Sequence, residues 1–187
     1  GLPASAFHPG GVEHYGSLSL LKAGVVSADA ITTVSPTYAR EIQEAEQGMG
    51  MEGVLRHRAG RLSGILNGVD TEVWDPSTDP TLPAHYHPGD MRGKAECRRA
   101  LIARTGLDAA LLERGPLLGM TTRLVEQKGL DLLLQALPAL VAMDLGLIVL
   151  GTGEPAYETA LVETARRHPD RLAVHIGFDE ALAHQIV

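Results

Sequence analysis

The C-terminal half of the chain alternates short apolar runs with longer amphipathic segments, and this alternation restricts the fold more than any other feature. The apolar runs predict strands over Leu117–Thr122, Leu145–Leu150 and Leu172–Ile176. The run Leu145–Leu150 is unbroken, as is typical of a strand that is buried on both faces of a sheet. Helices are predicted over Gly129–Met143, from Pro155 to His168, and beyond the N-cap candidate Asp179. Regular β–α alternation predicts right-handed crossovers, a parallel sheet and therefore an α/β fold.

The N-terminal half contains similar elements in a less regular order. An apolar run over Leu18–Val26 predicts a helix, and the β-branched run Ala30–Val34 predicts a buried strand. Ser35-Pro36 is expected to open a second helix that continues towards the glycines at Gly48–Gly53. Leu62–Leu66 predicts another strand, so this half also has the composition of an α/β unit.

A polar segment with four prolines, Asp75–Gly93, separates the two halves and predicts an irregular connection. A helix is expected from near Lys94 through Arg104. We therefore divide the chain into residues 1–74, a connection with its helix over 75–115, and residues 116–187.

The charge and cysteine content exclude several classes of protein. A net charge of −7 argues against binding nucleic acid through bulk electrostatics. Cys97 is the only cysteine, which excludes an internal disulfide and a zinc site built from cysteines. No stretch of about 20 apolar residues predicts a membrane span. The histidines show no metal-ligand spacing and are expected on the surface, so we predict a cytoplasmic protein without a metal, a nucleic-acid partner or a membrane partner.

The loops that follow the three C-terminal strands should open on one edge of the sheet, where parallel sheets bind ligands. In the first loop, Arg123 follows a strand and Lys128 lies near the start of the next helix. Two cations beside a helix N-terminus can bind a diphosphate, and they can equally be a solvated basic pair.

The other two loops carry glycines and one aromatic side chain. Gly151 and Gly153 flank Thr152, and glycines there allow either close approach of a ligand or an ordinary turn. Gly177 precedes Phe178, whose ring can cover a flat base or pack in the core. In the N-terminal half, Asn67 belongs to an Asn-Gly-Val-Asp turn sequence.

Several segments, in matching order, resemble the bacterial-type glycogen (starch) synthase family. They are YGSLSLLKAGVVSADAITTVSPTYAREI, LSGILNGVDTEVWDP, TRLVEQKGLDLLLQALP, GTGEPAYE and HIGFDEALAHQI. The combination of SPTYAREI, ILNGVD and RLVEQKG is specific to that family, and the resemblance covers nearly all of the chain.

The resemblance implies a glycosyltransferase-B architecture, in which two Rossmann-like domains face each other across a cleft. Residues 1–74 would be the C-terminal part of the acceptor-side domain, and residues 116–187 the first half of the nucleotide-sugar-binding domain. It also implies a retaining hexosyltransferase that moves glucose from ADP-glucose to an α-1,4-glucan in glycogen biosynthesis, with no cofactor.

By the same resemblance, Arg123 and Lys128 match the diphosphate-binding pair and are the expected catalytic residues. Asn67 matches an asparagine close to the bound sugar. Gly177 and Phe178 match the position that contacts adenine, where the family often has tyrosine. Gly151 and Gly153 complete the expected substrate-binding set.

Two family motifs are absent from the 187 residues, namely an N-terminal Lys-Thr-Gly-Gly loop and a Glu-Pro-Cys-Gly-Leu motif that supplies an important glutamate. We therefore expect an internal fragment that is inactive or nearly so with ADP-glucose and glycogen, and whose apolar edges favour self-association. The alternatives are a glycosyltransferase-B enzyme that uses another nucleotide sugar, and a non-catalytic nucleotide-binding or assembly module.

Overall fold

A computed structural model describes residues 3–111 and 115–187 and confirms the α/β class. Contacts divide the chain between Val69 and Asp70 into two compact units. The boundaries drawn from the sequence at residues 75 and 116 stay predictions.

The first unit contains a β-hairpin, a parallel strand pair and four short helices in the part that the structure describes. In chain order these elements are β1 (Glu13–His14), β2 (Ser17–Leu18), α1 (Leu20–Ser27), β3 (Ile31–Val34), α2 (Pro36–Glu41), α3 (Ala45–Gly48), α4 (Glu52–His57) and β4 (Leu62–Ile65). Strands β3 and β4 pair in parallel, with Ile31 opposite Leu62. The predicted elements of this half are therefore present, but the prediction that the first of these strands is buried is wrong. In β3, Ile31 and Thr33 are half-buried, whereas Thr32 and Val34 are exposed.

The helix that Ser35-Pro36 opens is shorter than the sequence predicts. It ends at Glu41, and α3 is a separate turn of helix. The side-chain amide of Gln43 donates to the Ala39 carbonyl at 2.8 Å, while the Gln43 N–H bonds to Arg40 instead. The carbonyl that a continuing helix requires is thus occupied by a side chain, which favours termination.

The second unit is built on a three-stranded parallel sheet with helices on both faces. Its elements are α5 (Arg92–Thr105), β5 (Leu117–Thr121), α6 (Leu130–Val141), β6 (Gly146–Gly151), α7 (Pro155–Arg167), β7 (Leu172–Ile176) and α8 (Glu180–Ile186). The strand order is β5-β6-β7. All the strands and helices predicted for this half are confirmed, including the N-cap, since the Asp179 carboxylate accepts from the Leu182 N–H at 2.8 Å.

Strand β6 is buried on both faces, as its unbroken apolar run predicts. Leu147 and Val149 belong to one core cluster, with leucines of α6 and α7. Ile148 and Leu150 belong to a second cluster, which they share with α5 and α8. The alternation of side chains along the strand places the two clusters on opposite faces of the sheet.

The expectation that the histidines lie on the surface is wrong for His184. Only 6% of its side chain is exposed, and its Nδ1 atom lies 2.6 Å from a carboxylate oxygen of Asp79. Burial of a polar ring is tolerated here because the ring has a hydrogen-bond partner. That partner comes from the connection, which is far away in sequence.

Candidate functional site

The candidate site lies where the three strands of the second unit end. Thr121 pairs with Leu150, and Gly151 pairs with Ile176, so the carboxyl ends of the strands are adjacent. Hydrogen bonds extend this alignment into the loops, because the Gly177 N–H donates to the Gly151 carbonyl at 3.0 Å. The predicted common edge of the three loops is therefore present.

A pocket of about 260 Å³ opens at this edge and is lined by all three loops. Arg123, Gly151, Gly177 and Phe178 line it, as the sequence predicts for a ligand site. Lys128 and Gly153 are not among its lining residues. Sequence reasoning did not identify the polar lining residues Thr121, Thr122, Thr152 and Asp179.

Phe178 stands at the edge of the pocket with 89% of its surface exposed. The alternative of a core phenylalanine is therefore wrong for this structure. Gly177 precedes it with φ of +135°, a conformation that L side chains rarely adopt, and glycine thereby turns the chain out of β7. The aromatic ring is free to stack on a planar group.

The two glycines of the second loop are explained by the close packing of neighbouring backbones. A Cβ atom on Gly151 would lie 1.9 Å from the Thr122 carbonyl oxygen, and one on Gly153 would lie 2.2 Å from that of Leu124. Gly153 also forms an isolated parallel bridge with Leu124. Close packing of the backbones is therefore enough to explain why both positions are glycine, without any role in ligand binding.

Glu158, in the first turn of α7, fixes the second loop. Its Oε1 atom accepts from the Thr152 hydroxyl at 2.7 Å and from the Gly153 N–H at 2.8 Å. The bond from the Gly153 N–H, followed by the bond from Thr152, lowers the pKa of Glu158. Because this carboxylate already occupies two donors of the loop, the loop is not a free cradle of N–H groups for a phosphate. Sequence reasoning missed this residue, although an acidic side chain in a first helical turn is a recognised signal.

Arg123 and Lys128 are the two cations of the first loop. Both are exposed, and within residues 3–111 and 115–187 neither side chain forms an ion pair. Lys128 ends a 3-10 turn, Glu126–Lys128, and α6 begins only at Leu130. The helix predicted from Gly129 thus begins one residue later, since Gly129 adopts a left-handed conformation between the turn and the helix.

Asn67 lies in the first unit, where it is exposed and follows the end of β4. Ser35 directly follows the neighbouring strand β3, and its N–H donates to the Ile65 carbonyl at 3.0 Å. Asn67 therefore occupies the carboxyl edge of its own parallel strand pair. Its role near a bound sugar stays a prediction.

Neither a metal-binding cluster nor a membrane-spanning helix is present among the described residues. No group of three or more His, Cys, Asp or Glu side chains there is placed to hold a metal ion. None of the helices found there has the length and apolar character needed to cross a membrane.

Comparison with known sequences identifies relatives that match this chain from end to end. The family profile of the starch synthase catalytic domain matches residues 1–57. A glycogen synthase of Anaeromyxobacter dehalogenans (strain 2CP-C) is 54% identical over 186 residues, covering 100% of this chain and 39% of the relative. That of Alkalilimnicola ehrlichii is 55% identical over 187 residues, again covering 39% of the relative. The chain therefore spans about two fifths of the length of these curated relatives.

Comparison with solved structures agrees with the sequence matches. The catalytic domain of starch synthase IV from Arabidopsis thaliana, bound to ADP and acarbose, superposes with a TM-score of 0.89 at 34% identity. The match covers 97% of this chain and 38% of the plant chain. The parallel sheets are thus parts of the two Rossmann-like domains of a glycosyltransferase-B fold. Over these 187 residues, the chain is similar to members of the glycogen (starch) synthase family.

Proposed function

We propose that this stretch supplies the nucleotide side of the donor site in a retaining glucosyltransferase that elongates an α-1,4-glucan from ADP-glucose. The observation that carries the proposal is the pocket at the carboxyl ends of β5, β6 and β7, which is lined by both Arg123 and the exposed Phe178. Parallel α/β sheets bind ligands at this edge. The Arabidopsis catalytic domain, which is similar in fold, is bound to ADP and acarbose. This supports a nucleoside diphosphate as the ligand.

Each residue has a distinct part in the proposed chemistry. Phe178 stacks on the base, and Arg123, together with Lys128, binds the diphosphate. When the bond between the sugar C1 and the diphosphate oxygen breaks, the leaving group keeps the electron pair and becomes more negative. A guanidinium held next to that oxygen stabilises the transition state more than the ground state. The acceptor hydroxyl of the glucan gives its proton to the released diphosphate oxygen and forms the new bond to C1 with retained configuration.

The proposed cellular compartment is the cytoplasm, where nucleotide sugars are made. The free thiol of Cys97, buried against the Ala84 carbonyl, suits a reducing environment.

ADP titration of the 187-residue chain by calorimetry tests the proposed site directly. We expect measurable ADP binding that weakens about 10-fold or more in Arg123→Ala, since a charge-assisted hydrogen bond contributes about 1.5–3 kcal/mol. Lys128→Ala should weaken binding less, because Lys128 does not line the pocket. Tighter binding of UDP than of ADP would favour another nucleotide sugar as the donor.

The matched control for this titration is Arg166→Ala. Arg166 is an exposed cation in the last turn of α7, which leads to the amino end of β7 and not to the pocket edge. The Arg166→Ala substitution removes one positive charge from the second unit, as Arg123→Ala does, and should leave the ADP affinity unchanged. Equal loss in Arg166→Ala and Arg123→Ala would mean that the net charge, and not the pocket, governs binding.

A further inference from the structure

The buried pair Asp79–His184 joins two parts of the second unit that are far apart in sequence. Each side chain is only 6% exposed, and the Asp79 Oδ2 and His184 Nδ1 atoms are 2.6 Å apart. Asp79 belongs to the proline-containing connection, and His184 to α8. A buried hydrogen-bonded pair of this kind is costly to break, because the remaining partner is left buried without its bond.

Further contacts hold both members of the pair in place. The Trp74 ring stacks on the His184 imidazole at a centroid distance of 4.0 Å and an interplanar angle of 11°. The other carboxylate oxygen of Asp79 accepts from the Thr81 N–H at 2.8 Å and from its hydroxyl at 2.7 Å. We call Trp74, Asp79 and His184 the connection cluster.

The ionisation of Asp79 is consistent with this arrangement. Burial raises the pKa of the Asp79 carboxyl, but the bonds from Thr81 and His184 outweigh burial and hold it below its ordinary value. Asp79 is therefore a carboxylate at neutral pH and accepts all of these hydrogen bonds.

Helix α8, to which the cluster is attached, forms one wall of the candidate pocket. Asp179 and Ala183 line the pocket, and Ala183 directly precedes His184. The same helix donates a second bond to the connection, since the Gln185 side-chain amide donates to the Thr81 carbonyl at 2.8 Å. A displacement of α8 would move this wall relative to Phe178 and Arg123.

We propose that the connection cluster positions α8 and thereby sets the affinity of the pocket for a nucleoside diphosphate. His184 and Asp79 are then positioning residues: neither lines the pocket, and both act through the helix. The inference rests on the proposed function of the pocket, and it adds the connection as a determinant of that function. Coupling of this kind between a remote contact and a binding site typically amounts to about 5- to 150-fold in affinity.

The first experiment compares His184→Gln and Asp79→Asn with the unmodified chain. We expect ADP to bind about 5-fold more weakly or worse in each variant, with faster amide hydrogen exchange over residues 180–186. The double variant should lose no more affinity than the more affected single variant, because the two residues act as one pair. Asp144→Asn is the control, as it removes an exposed carboxylate that pairs with Arg171 outside the pocket.

The second experiment needs no variant, so it remains decisive if the substitutions impair folding. The coupling free energy between two sites is reciprocal. If the cluster strengthens ADP binding, bound ADP must stabilise the cluster by the same free energy. Saturation with ADP should slow hydrogen exchange over residues 74–81 and 180–186 and change the emission of Trp74, the only tryptophan of the chain.

The outcomes separate the two proposals. If ADP binds and responds to Arg123→Ala, but both cluster variants keep the original affinity, the pocket is real and the positioning role is wrong. The same conclusion follows if saturating ADP leaves the exchange of residues 74–81 and 180–186 unchanged. If the unmodified chain does not bind ADP at all, the proposed function itself fails, and this inference fails with it.

Discussion

Gly151→Ala is expected to destabilise the second unit by about 1–3 kcal/mol and to displace the loops that form the pocket. The added Cβ atom would lie 1.9 Å from the Thr122 carbonyl oxygen, and that oxygen belongs to the backbone. A side chain could rotate away, but here the two neighbouring loops must separate. The hydrogen bonds that align them, such as the one from the Thr122 N–H to the Leu150 carbonyl, would be strained.

Thermal unfolding followed by Trp74 fluorescence measures this effect, since Trp74 lies in the second unit. A loss of this size corresponds to a lower midpoint by about 4–12 °C. The control is Gly53→Ala in α4 of the first unit, where an added Cβ atom meets no other atom within 4 Å. It should leave the Trp74 transition in place, and it should favour α4 because alanine is the better helix former. An unchanged midpoint in Gly151→Ala would show that the loops separate without cost.

The elements of the second unit were predictable because their signals are local. The unbroken run over β6 and the leucine periodicity of α6 are each readable within a dozen residues, and the structure contains both. The end of α2 was not predictable in this way. It depends on a side-chain bond from Gln43 to Ala39, which competes with the backbone and leaves no signature in hydrophobic periodicity.

The candidate site shows the same division between local and distant signals. The loops after β5, β6 and β7 could be placed on one edge from the β–α alternation alone, and four of the predicted residues line one pocket there. The burial of His184 was not predictable, because its partner Asp79 precedes it by more than a hundred positions. Contacts at that separation are set by the tertiary fold, so a histidine in isolation was reasonably assigned to the surface.

Arg123→Ala is expected to lower the rate of glucosyl transfer about 10²- to 10³-fold in a complete synthase that contains this stretch. A suitable enzyme is a chimera of the Anaeromyxobacter dehalogenans glycogen synthase, in which these 187 residues replace the matching stretch. The two sequences are 54% identical there. Arg123 lines the pocket and has no carboxylate partner among the described residues, so its charge is available to the leaving diphosphate. The charge on that group grows as the sugar–oxygen bond breaks, and the loss should therefore fall mainly on kcat.

Three companion variants make the result specific to the guanidinium. Arg123→Lys keeps the charge but loses the forked donor geometry, so we expect partial recovery of kcat. Phe178→Ala removes the exposed ring that lines the pocket and should raise KM for ADP-glucose more than it lowers kcat. Arg166→Ala should change neither constant. If Arg123→Ala raises KM while kcat stays within a few fold of the parent value, Arg123 binds the ground state and the transition state equally, and its assignment as a catalytic residue is wrong.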